Sequence, residues 1–264
     1  NRKKVAIGIY PLEKIKLPIK YEALPPEKIK FIPLEFDKEL TGVQILQKHP
    51  AGKEYAHLLQ DCKEFPVFMD ADSKVLSMPP IINSQETGKV SLETKEVFVE
   101  CSGSDFNVLK KTLNIIITTL SDLGGKVYQM ELNYGKNKEI TPDLSYEKIK
   151  ISLENINSLL GIKLKESEIE KLLAKMGYEY KNKSVSIPPW RTDVLHEVDI
   201  IEDIAIAYGY NNFIPEIPNI SSTGEESSES KIKNKISNIL TGLGLLETSS
   251  YHLIKPEEAK MFGL

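Results

Sequence analysis

Residues 77–83 (SMPPIIN) and 97–105 (VFVECSGSD) form the stretch around which this chain is organised. Its first part leads a strand into a rigid turn, because each proline fixes its own φ angle and lacks a backbone N–H. Its second part is a strand that ends in an acid and two hydroxyls, and a helix with an apolar face follows from Asp105 to about Asp122. Strand and helix patterns alternate over residues 1–135, which predicts a mixed α+β domain.

The segments on either side of this stretch have simpler patterns. Strands are predicted at residues 4–10, 65–69, 74–78 and 127–132, and helices at 41–48 and 51–60. Residues 11–38 contain five prolines, which predicts an irregular, extended segment. Residues 133–145 are polar and contain glycine and proline, so we expect a linker there. If strands 74–78 and 97–101 were neighbours, Ser77 and Glu100 would face each other.

A second pattern occupies residues 145–212. It has strands near 148–151 and 184–187, and helices over 152–161, 166–176 and 197–208. Short helices around a small sheet predict a helix-turn-helix or winged-helix module. Residues 213–230 follow as a Ser- and Glu-rich linker, and residues 231–264 begin a further module. We therefore expect this chain to be a piece of a longer protein.

Composition excludes several classes of protein. The 264 residues carry a net charge of −4, which argues against a domain devoted to unspecific nucleic-acid binding. No window is apolar enough for a membrane helix, and we expect a cytoplasmic protein without membrane contact. Cys62 and Cys101 show no CxxC spacing, so no disulfide framework or cysteine zinc site is predicted. Motifs for phosphate loops, dinucleotide binding and zinc peptidases are absent.

The opening stretch is the first candidate site. Hydroxyls, a carboxylate and first-turn amides of a helix together could line a pocket for a polar ligand. The candidate residues are Ser77, Pro79, Pro80, Asn83, Glu100, Ser102, Ser104 and Asp105. The alternative is that Asp105 only caps its helix and that the serines are ordinary turn residues.

An acidic group in the second pattern is the other candidate. Asp199, Glu202 and Asp203 share a helix face, and Asp193 lies just before that helix. Converging carboxylates suit a hard cation such as Mg²⁺. The alternative is an acidic first turn that interacts favourably with the helix dipole.

Two long motifs bear a family resemblance. SMPPIIN followed by VFVECSGSD resembles the B3/B4 editing domain of the phenylalanyl-tRNA synthetase β subunit of archaeal and eukaryotic type. Residues 188–210 (PPWRTDVLHEVDIIEDIAIAYGY) are similar to the signature of the B5 domain, and the two motifs occur in the family's order. The resemblance covers nearly the whole chain.

The resemblance implies an editing domain over residues 1–140 and a B5 domain over 145–212, followed by the linker 213–230 and the start of a catalytic-like module at 231–264. It implies a heterotetrameric α2β2 ligase that joins phenylalanine to tRNA(Phe) with ATP and Mg²⁺ in its α subunit. This chain would instead hydrolyse mischarged Tyr-tRNA(Phe).

The resemblance also assigns residues to roles. Ser77, Glu100 and Ser102 would form the polar lining of the editing pocket, Phe68 a wall, and Glu100 would read the substrate phenol. A related pattern has Asp and Thr in place of Glu100 and Ser102, so their individual roles are open. The family's Mg²⁺ positions, shared with the α subunit, fall on the four acidic residues Asp193, Asp199, Glu202 and Asp203.

Two other functions compete with editing. The chain could be a scaffold that organises the tetramer through a degenerate pocket. It could also be a winged-helix DNA-binding protein, although the acidic helix 197–208 makes DNA a poor ligand for that face.

Overall fold

The structure is a computed structural model that describes residues 2, 4–217, 219–249 and 251–261. It divides into two compact units, residues 1–213 and residues 214–264. Strands and helices interleave along the first unit, as the α+β prediction requires.

Residues 2–145 of the first unit contain short strands and one long helix. The strands are β1 (Ala6–Pro11), β2 (Lys20–Leu24), β3 (Lys30–Phe31), β4 (Leu40–Thr41), β5 (Phe65–Met69), β6 (Val75–Met78), β7 (Ile82–Asn83), β8 (Val97–Ser102), β9 (Met130–Tyr134) and β10 (Asn137–Thr141). The helices are α1 (Gly42–Lys48), α2 (Pro50–Tyr55), α3 (Gln85–Gly88) and α4 (Phe106–Asp122).

These strands form small antiparallel sheets. One has the order β2-β5-β6-β7, and another pairs β1 with β8; β3 pairs with β4, and β9 with β10. The hydrophobic core lies under the four-stranded sheet and α1. It contains Ile29, Phe31, Leu40, Ile45, Leu59, Phe65, Val67, Met78 and Ile81.

The helix boundaries follow local sequence signals. Thr41 and Gln44 form a capping box at the start of α1, where the Thr41 side chain accepts from the Gln44 backbone and Gln44 accepts from the Thr41 backbone. Asp105 caps α4 by accepting hydrogen bonds from the N–H groups of Asn107 and Val108. The predicted helix over 51–60 is shorter than expected, because α2 ends at Tyr55 and a 3₁₀ turn follows at Ala56–Leu58.

Two of the predicted irregular segments contain regular structure, so these predictions are wrong in part. Lys20–Leu24 forms β2 at the edge of the four-stranded sheet, where pairing with β5 outweighs the proline-rich surroundings. Within the expected linker 133–145, Asn137–Thr141 pairs with Met130–Tyr134. Gly135, at φ +73°, supplies the tight turn of this hairpin.

The remainder of the first unit is built around a second core. Strands β11 (Glu147–Lys150), β12 (Glu179–Lys181) and β13 (Ser184–Ile187) form a sheet in the order β11-β13-β12. Helices α5 (Leu153–Leu160), α6 (Glu166–Lys175) and α7 (Glu197–Tyr208) pack around buried side chains that include Ile156, Leu173 and Ile204. The winged-helix classification of this region stays a prediction.

The second unit contains α8 (Ser228–Gly242) and α9 (Pro256–Met261). Ser227 caps α8 through the N–H of Ser230, so the helix begins inside the segment predicted as a linker. Within the described residues, we find no helix with the length and apolar character needed to span a bilayer.

Candidate functional site

Three predicted site residues lie in one row across the four-stranded sheet. Phe68 of β5 pairs with Ser77 of β6, and Ser77 pairs with Asn83 of β7. Directly paired residues point to the same face of a sheet. Tyr21 extends the row on the other side, where its ring stacks on Phe68 at 4.4 Å between centroids. The row therefore begins with two aromatic rings and ends with polar groups.

Glu100 and Ser102 belong to the other sheet. Their strand does not lie beside β6, the arrangement in which Ser77 and Glu100 would face each other directly, because β8 pairs with β1 instead. Glu100 lies opposite Gly8, and Ser102 lies opposite Ala6. The two polar residues are two positions apart, so they share one face of β8, and both are buried, at 7% and 5% exposure.

Tyr10 joins the two sheets, although no sequence pattern identified it as a site residue. Its side chain is fully buried, and its hydroxyl lies 2.8 Å from Ser77 Oγ and 3.1 Å from Glu100 Oε1. Burial, followed by the charge of Glu100, raises the pKa of Tyr10, so this phenol stays protonated. Ser77 and Glu100 are thus brought together as predicted, but through a tyrosine rather than by strand pairing.

Gly8 makes room for this arrangement. A Cβ atom at this position would lie 2.3 Å from the Tyr10 hydroxyl oxygen and 2.5 Å from Glu100 Oε1. Any side chain would therefore displace the phenol or the carboxylate. Glycine is needed at position 8 because the phenol and the carboxylate approach the backbone closely there. This need can be recognised in the sequence only when the strand register is known.

The site contains two buried polar atoms without hydrogen-bond partners, Glu100 Oε2 and Ser102 Oγ. Burial raises the pKa of Glu100 to about 7, against the opposing effect of the Tyr10 hydrogen bond. The Ser102 hydroxyl is near enough to oppose this rise as well. The Ser102 hydroxyl does not meet the geometry of a hydrogen bond to the carboxylate. Ser102 Oγ and Glu100 Oε2 therefore both lack a partner. Such atoms are costly in a folded protein and suit a site that a ligand completes.

A pocket of about 180 Å³ opens beside these groups. Of the predicted residues, Pro79, Pro80, Ser102 and Ser104 line it, together with Tyr21 and Arg2. Arg2 is fixed at the pocket because its guanidinium donates to the Ile81 carbonyl at 2.8 Å, and it lies 3.9 Å from the Tyr55 ring centroid. The pocket therefore combines an aromatic wall, hydroxyls and one cation.

Five predicted residues lie outside this lining, and their roles stay predictions. Ser77 and Glu100 are buried among the side chains next to Tyr10, and Phe68 lies beneath Tyr21. Asp105 caps α4, as the alternative interpretation expected. Asn83 contacts the position of Gly88, where an added Cβ would lie 2.8 Å from its own Cβ.

A larger depression of about 560 Å³ lies elsewhere, bounded by Glu35, Phe36, Asp37, Gln85 and Lys89. It contains none of the predicted site residues, and none of its lining groups is a buried polar atom without a partner. We therefore place the candidate site at the smaller pocket.

The acidic candidate site has a different arrangement. Arg191 binds Asp193 at 2.8 Å and Asp203 at 2.7 Å, and the Tyr178 hydroxyl donates to Asp203. Hydrogen bonds from Arg191 lower the pKa of Asp193. Asp199 accepts from the backbone N–H groups of Leu195 and His196 at the start of α7, which lowers its pKa too.

Glu202 is exposed and lies apart from these contacts. Among the residues that the structure describes, no group of three or more acidic, histidine or cysteine side chains could hold a metal ion. As arranged, the four carboxylates do not fit Mg²⁺, because an arginine and backbone donors already occupy three of them. Their role as metal ligands stays a prediction.

This chain resembles known proteins of one class in both sequence and fold. The family model described as the tRNA synthetase B5 domain matches residues 149–210. The structure resembles an N-terminal fragment of the phenylalanyl-tRNA synthetase β subunit from Pyrococcus horikoshii, with a TM-score of 0.76 and 41% identity over 79% of this chain and 61% of that one. The fold and its B5 region define an aminoacyl-tRNA synthetase chain.

Curated relatives narrow the class to one family. The chain is 40% identical to the phenylalanine–tRNA ligase β subunit of Pyrococcus furiosus over 97% of this chain and 47% of that protein. It is 38% identical to the corresponding subunit of Archaeoglobus fulgidus over 99% of this chain and 48% of that protein. The chain belongs to the phenylalanine–tRNA ligase β-subunit family, as its motifs predicted. It spans about half the length of these relatives.

Proposed function

We propose that this chain provides the editing site of a phenylalanine–tRNA ligase, where Tyr-tRNA(Phe) is hydrolysed after mischarging. The observation that carries this proposal is the buried Glu100 with one unpaired oxygen, next to the unpaired hydroxyl of Ser102 and the 180 Å³ pocket. A phenol can donate a hydrogen bond to such an acceptor, whereas a phenyl ring cannot.

Selectivity follows from this difference. An apolar synthetic pocket rejects an analogue with one added hydroxyl by only about 10²-fold, so errors need a second site. In the editing pocket, phenylalanine would leave Glu100 Oε2 and Ser102 Oγ unsatisfied, at a cost of about 1–3 kcal/mol. Tyrosine would satisfy at least one of them, and Tyr21 and Phe68 would provide an aromatic wall.

The hydrolysis itself would use a positioned water. The described pocket offers hydroxyls and Arg2, but no Ser–His–Asp arrangement among its lining residues. A covalent acyl-enzyme is therefore not proposed. Instead, the tRNA's terminal ribose hydroxyl and backbone N–H groups would orient the water and the ester carbonyl.

The wider assembly is also part of the proposal. The chain would work in an α2β2 tetramer in the cytoplasm, with tRNA(Phe) bound by both subunits. Phenylalanine, ATP and Mg²⁺ would be used in the α subunit, where the ligation occurs. We assign no step to a metal ion in this chain, because Arg191 and backbone N–H groups already bind Asp193, Asp203 and Asp199.

The test is the deacylation of preformed Tyr-tRNA(Phe) by the purified chain, with Phe-tRNA(Phe) as the matched control substrate. We expect release of tyrosine well above the spontaneous rate and a preference for Tyr over Phe of at least about tenfold, the value of one hydrogen bond to a charged group. A folded chain that accelerates neither reaction would favour the scaffold function instead. A salt-sensitive shift of duplex DNA would favour the DNA-binding alternative.

A further inference from the structure

We propose that Tyr10 is a positioning residue of the editing site. Its buried phenol, anchored by Ser77, holds Glu100 through Oε1 and leaves Oε2 free to accept the phenol of the substrate. This inference rests on the proposed function, since it explains how one carboxylate can recognise a second tyrosine hydroxyl.

When Glu100 is ionised, the positions of the three side chains fix the order of hydrogen-bond donors. A phenol has a single proton, so Tyr10 cannot donate to Ser77 and Glu100 at once. The arrangement is satisfied when Ser77 donates to the Tyr10 oxygen at 2.8 Å and Tyr10 donates to Glu100 Oε1 at 3.1 Å. A chain of hydroxyls in this order polarises the last donor and strengthens its bond to the carboxylate.

The surrounding backbone keeps this chain of hydroxyls in place. Tyr10 is anchored on β1, Ser77 on β6 and Glu100 on β8, so the contacts join two separate sheets. Gly8 leaves open the space beside the phenol and the carboxylate that a Cβ atom at this position would fill. Glu100 thus has one oxygen fixed by the protein and one buried oxygen without a hydrogen-bond partner, and Ser102, on the same face of β8, lines the pocket.

Among the described residues, few titratable or hydrogen-bonding groups lie close to Glu100. They are the phenols of Tyr10 on β1 and Tyr21 on β2 and the Ser102 hydroxyl, with the Cys101 thiol adjacent along β8 but on the opposite face of the strand. Arg2 provides the cation at the pocket. No ion pair within the described residues includes Glu100. The phenol of Tyr10 is therefore the principal donor that stabilises its ionised form.

The test follows the ionisation of Glu100 directly. The side-chain carboxyl would be titrated by ¹³C NMR, with its resonance assigned by Glu100→Gln, and the pH profile of Tyr-tRNA(Phe) deacylation would be measured alongside. In Tyr10→Phe we expect both midpoints to rise by about one pH unit, because a hydrogen bond to the charged form is lost. The deacylation rate at neutral pH should fall about tenfold. Tyr128→Phe, which alters an exposed tyrosine, should change neither midpoint.

A second replacement keeps the test decisive if Tyr10→Phe does not fold. 3-Fluorotyrosine incorporated at position 10 preserves the shape of the ring and makes the phenol a stronger donor, so it should lower both midpoints. Unchanged midpoints in the folded variants would overturn the role of Tyr10. If the unmodified chain releases no tyrosine, the editing proposal fails, while the NMR titration still decides whether Tyr10 controls Glu100.

Discussion

The chain contains two buried carboxylates that its sequence marked as functional, and their surroundings differ. Glu100 in the pocket has one oxygen bound by a neutral phenol and one without a partner. Asp203 of the B5 region is bound by the Arg191 guanidinium and by the Tyr178 hydroxyl. Among the described residues, one oxygen of Glu100 therefore has no hydrogen-bond donor, whereas Asp203 accepts from two side chains.

This difference is the reason why we propose a ligand at the first site and none at the second. An unpaired buried carboxylate costs stability that a folded protein keeps only when another requirement outweighs it. A carboxylate that is paired with arginine and hydrogen-bonded has its needs met by its own fold. The sequence did not distinguish the two sites, because the positions of acidic residues do not show which carboxylate is paired with a cationic side chain.

The largest expected effect is on the pH dependence of the free energy of unfolding. The folded pKa of Glu100 is about 7 and its unfolded value is 4.5, so the folded state favours the protonated form. Glu100 therefore contributes stability below pH 4.5 that is lost as the pH rises through 7, by up to about 3 kcal/mol. For Asp193, whose folded pKa is lowered, the sign is opposite, and stability is lost as the pH falls.

Urea unfolding of the chain across this range would measure the loss. Glu100→Gln should flatten the decline between pH 5 and 8, since a neutral amide replaces the titrating group. Glu96→Gln, at an exposed glutamate, is the matched control and should keep the decline of the unmodified chain. An equal decline in all three proteins would show that the ionisation of Glu100 does not cause the loss of stability, which contradicts a raised pKa for this carboxyl.

The next effect is on editing. Glu100→Gln removes the charged acceptor while the size of the side chain is retained, so Tyr-tRNA(Phe) deacylation should fall about 100-fold, close to the upper range for a hydrogen bond to a charged group. Deacylation assays at pH 8 would measure it, and Glu96→Gln should retain the full rate. If the rate of Glu100→Gln is unchanged in a folded protein, the unpaired oxygen has no part in editing.

The contrast between the sites also shows what the sequence could supply. The motifs located Ser77, Glu100 and Ser102 correctly in one region, and the helix start at Asp105 follows from its capping side chain. Tyr10 could not be found in this way. It lies 67 residues from Ser77 and 90 from Glu100. The pairing of β1 with β8 brings it to Glu100, and its contact with Ser77 joins two separate sheets.

The same limit applies to the acidic residues. The spacing of Asp199 and Asp203 predicted a shared helix face, but it did not show that Arg191 would turn back onto Asp203. The strand β2 and the β9–β10 hairpin were missed for a related reason, because long-range or cross-turn pairing outweighed proline and polar composition there. Local sequence can predict which residues belong to a site. Which charged group each of them pairs with depends more strongly on tertiary packing.

A smaller effect is expected when the paired site is broken. Arg191→Gln leaves Asp203 buried and partnered only by Tyr178, which should destabilise the chain by about 2 kcal/mol, less than a fully buried pair because Arg191 is 20% exposed. Urea unfolding at pH 7 would measure this loss. Lys163→Gln is the control, since it removes an exposed positive charge in the same region. A loss no greater than that of the control would mean that Arg191 does not stabilise the acidic group.

The smallest expected effect is that of Mg²⁺ on the chain alone. Arg191 and the backbone donors of α7 occupy Asp193, Asp203 and Asp199, so millimolar Mg²⁺ should leave the melting temperature unchanged. In Arg191→Gln, the freed carboxylates repel each other, and Mg²⁺ should then raise the melting temperature relative to the same variant in EDTA. Melting curves of both proteins with and without Mg²⁺ provide the comparison. Stabilisation of the unmodified chain by Mg²⁺, abolished by Glu202→Gln, would instead support the metal assignment that the sequence motif implies.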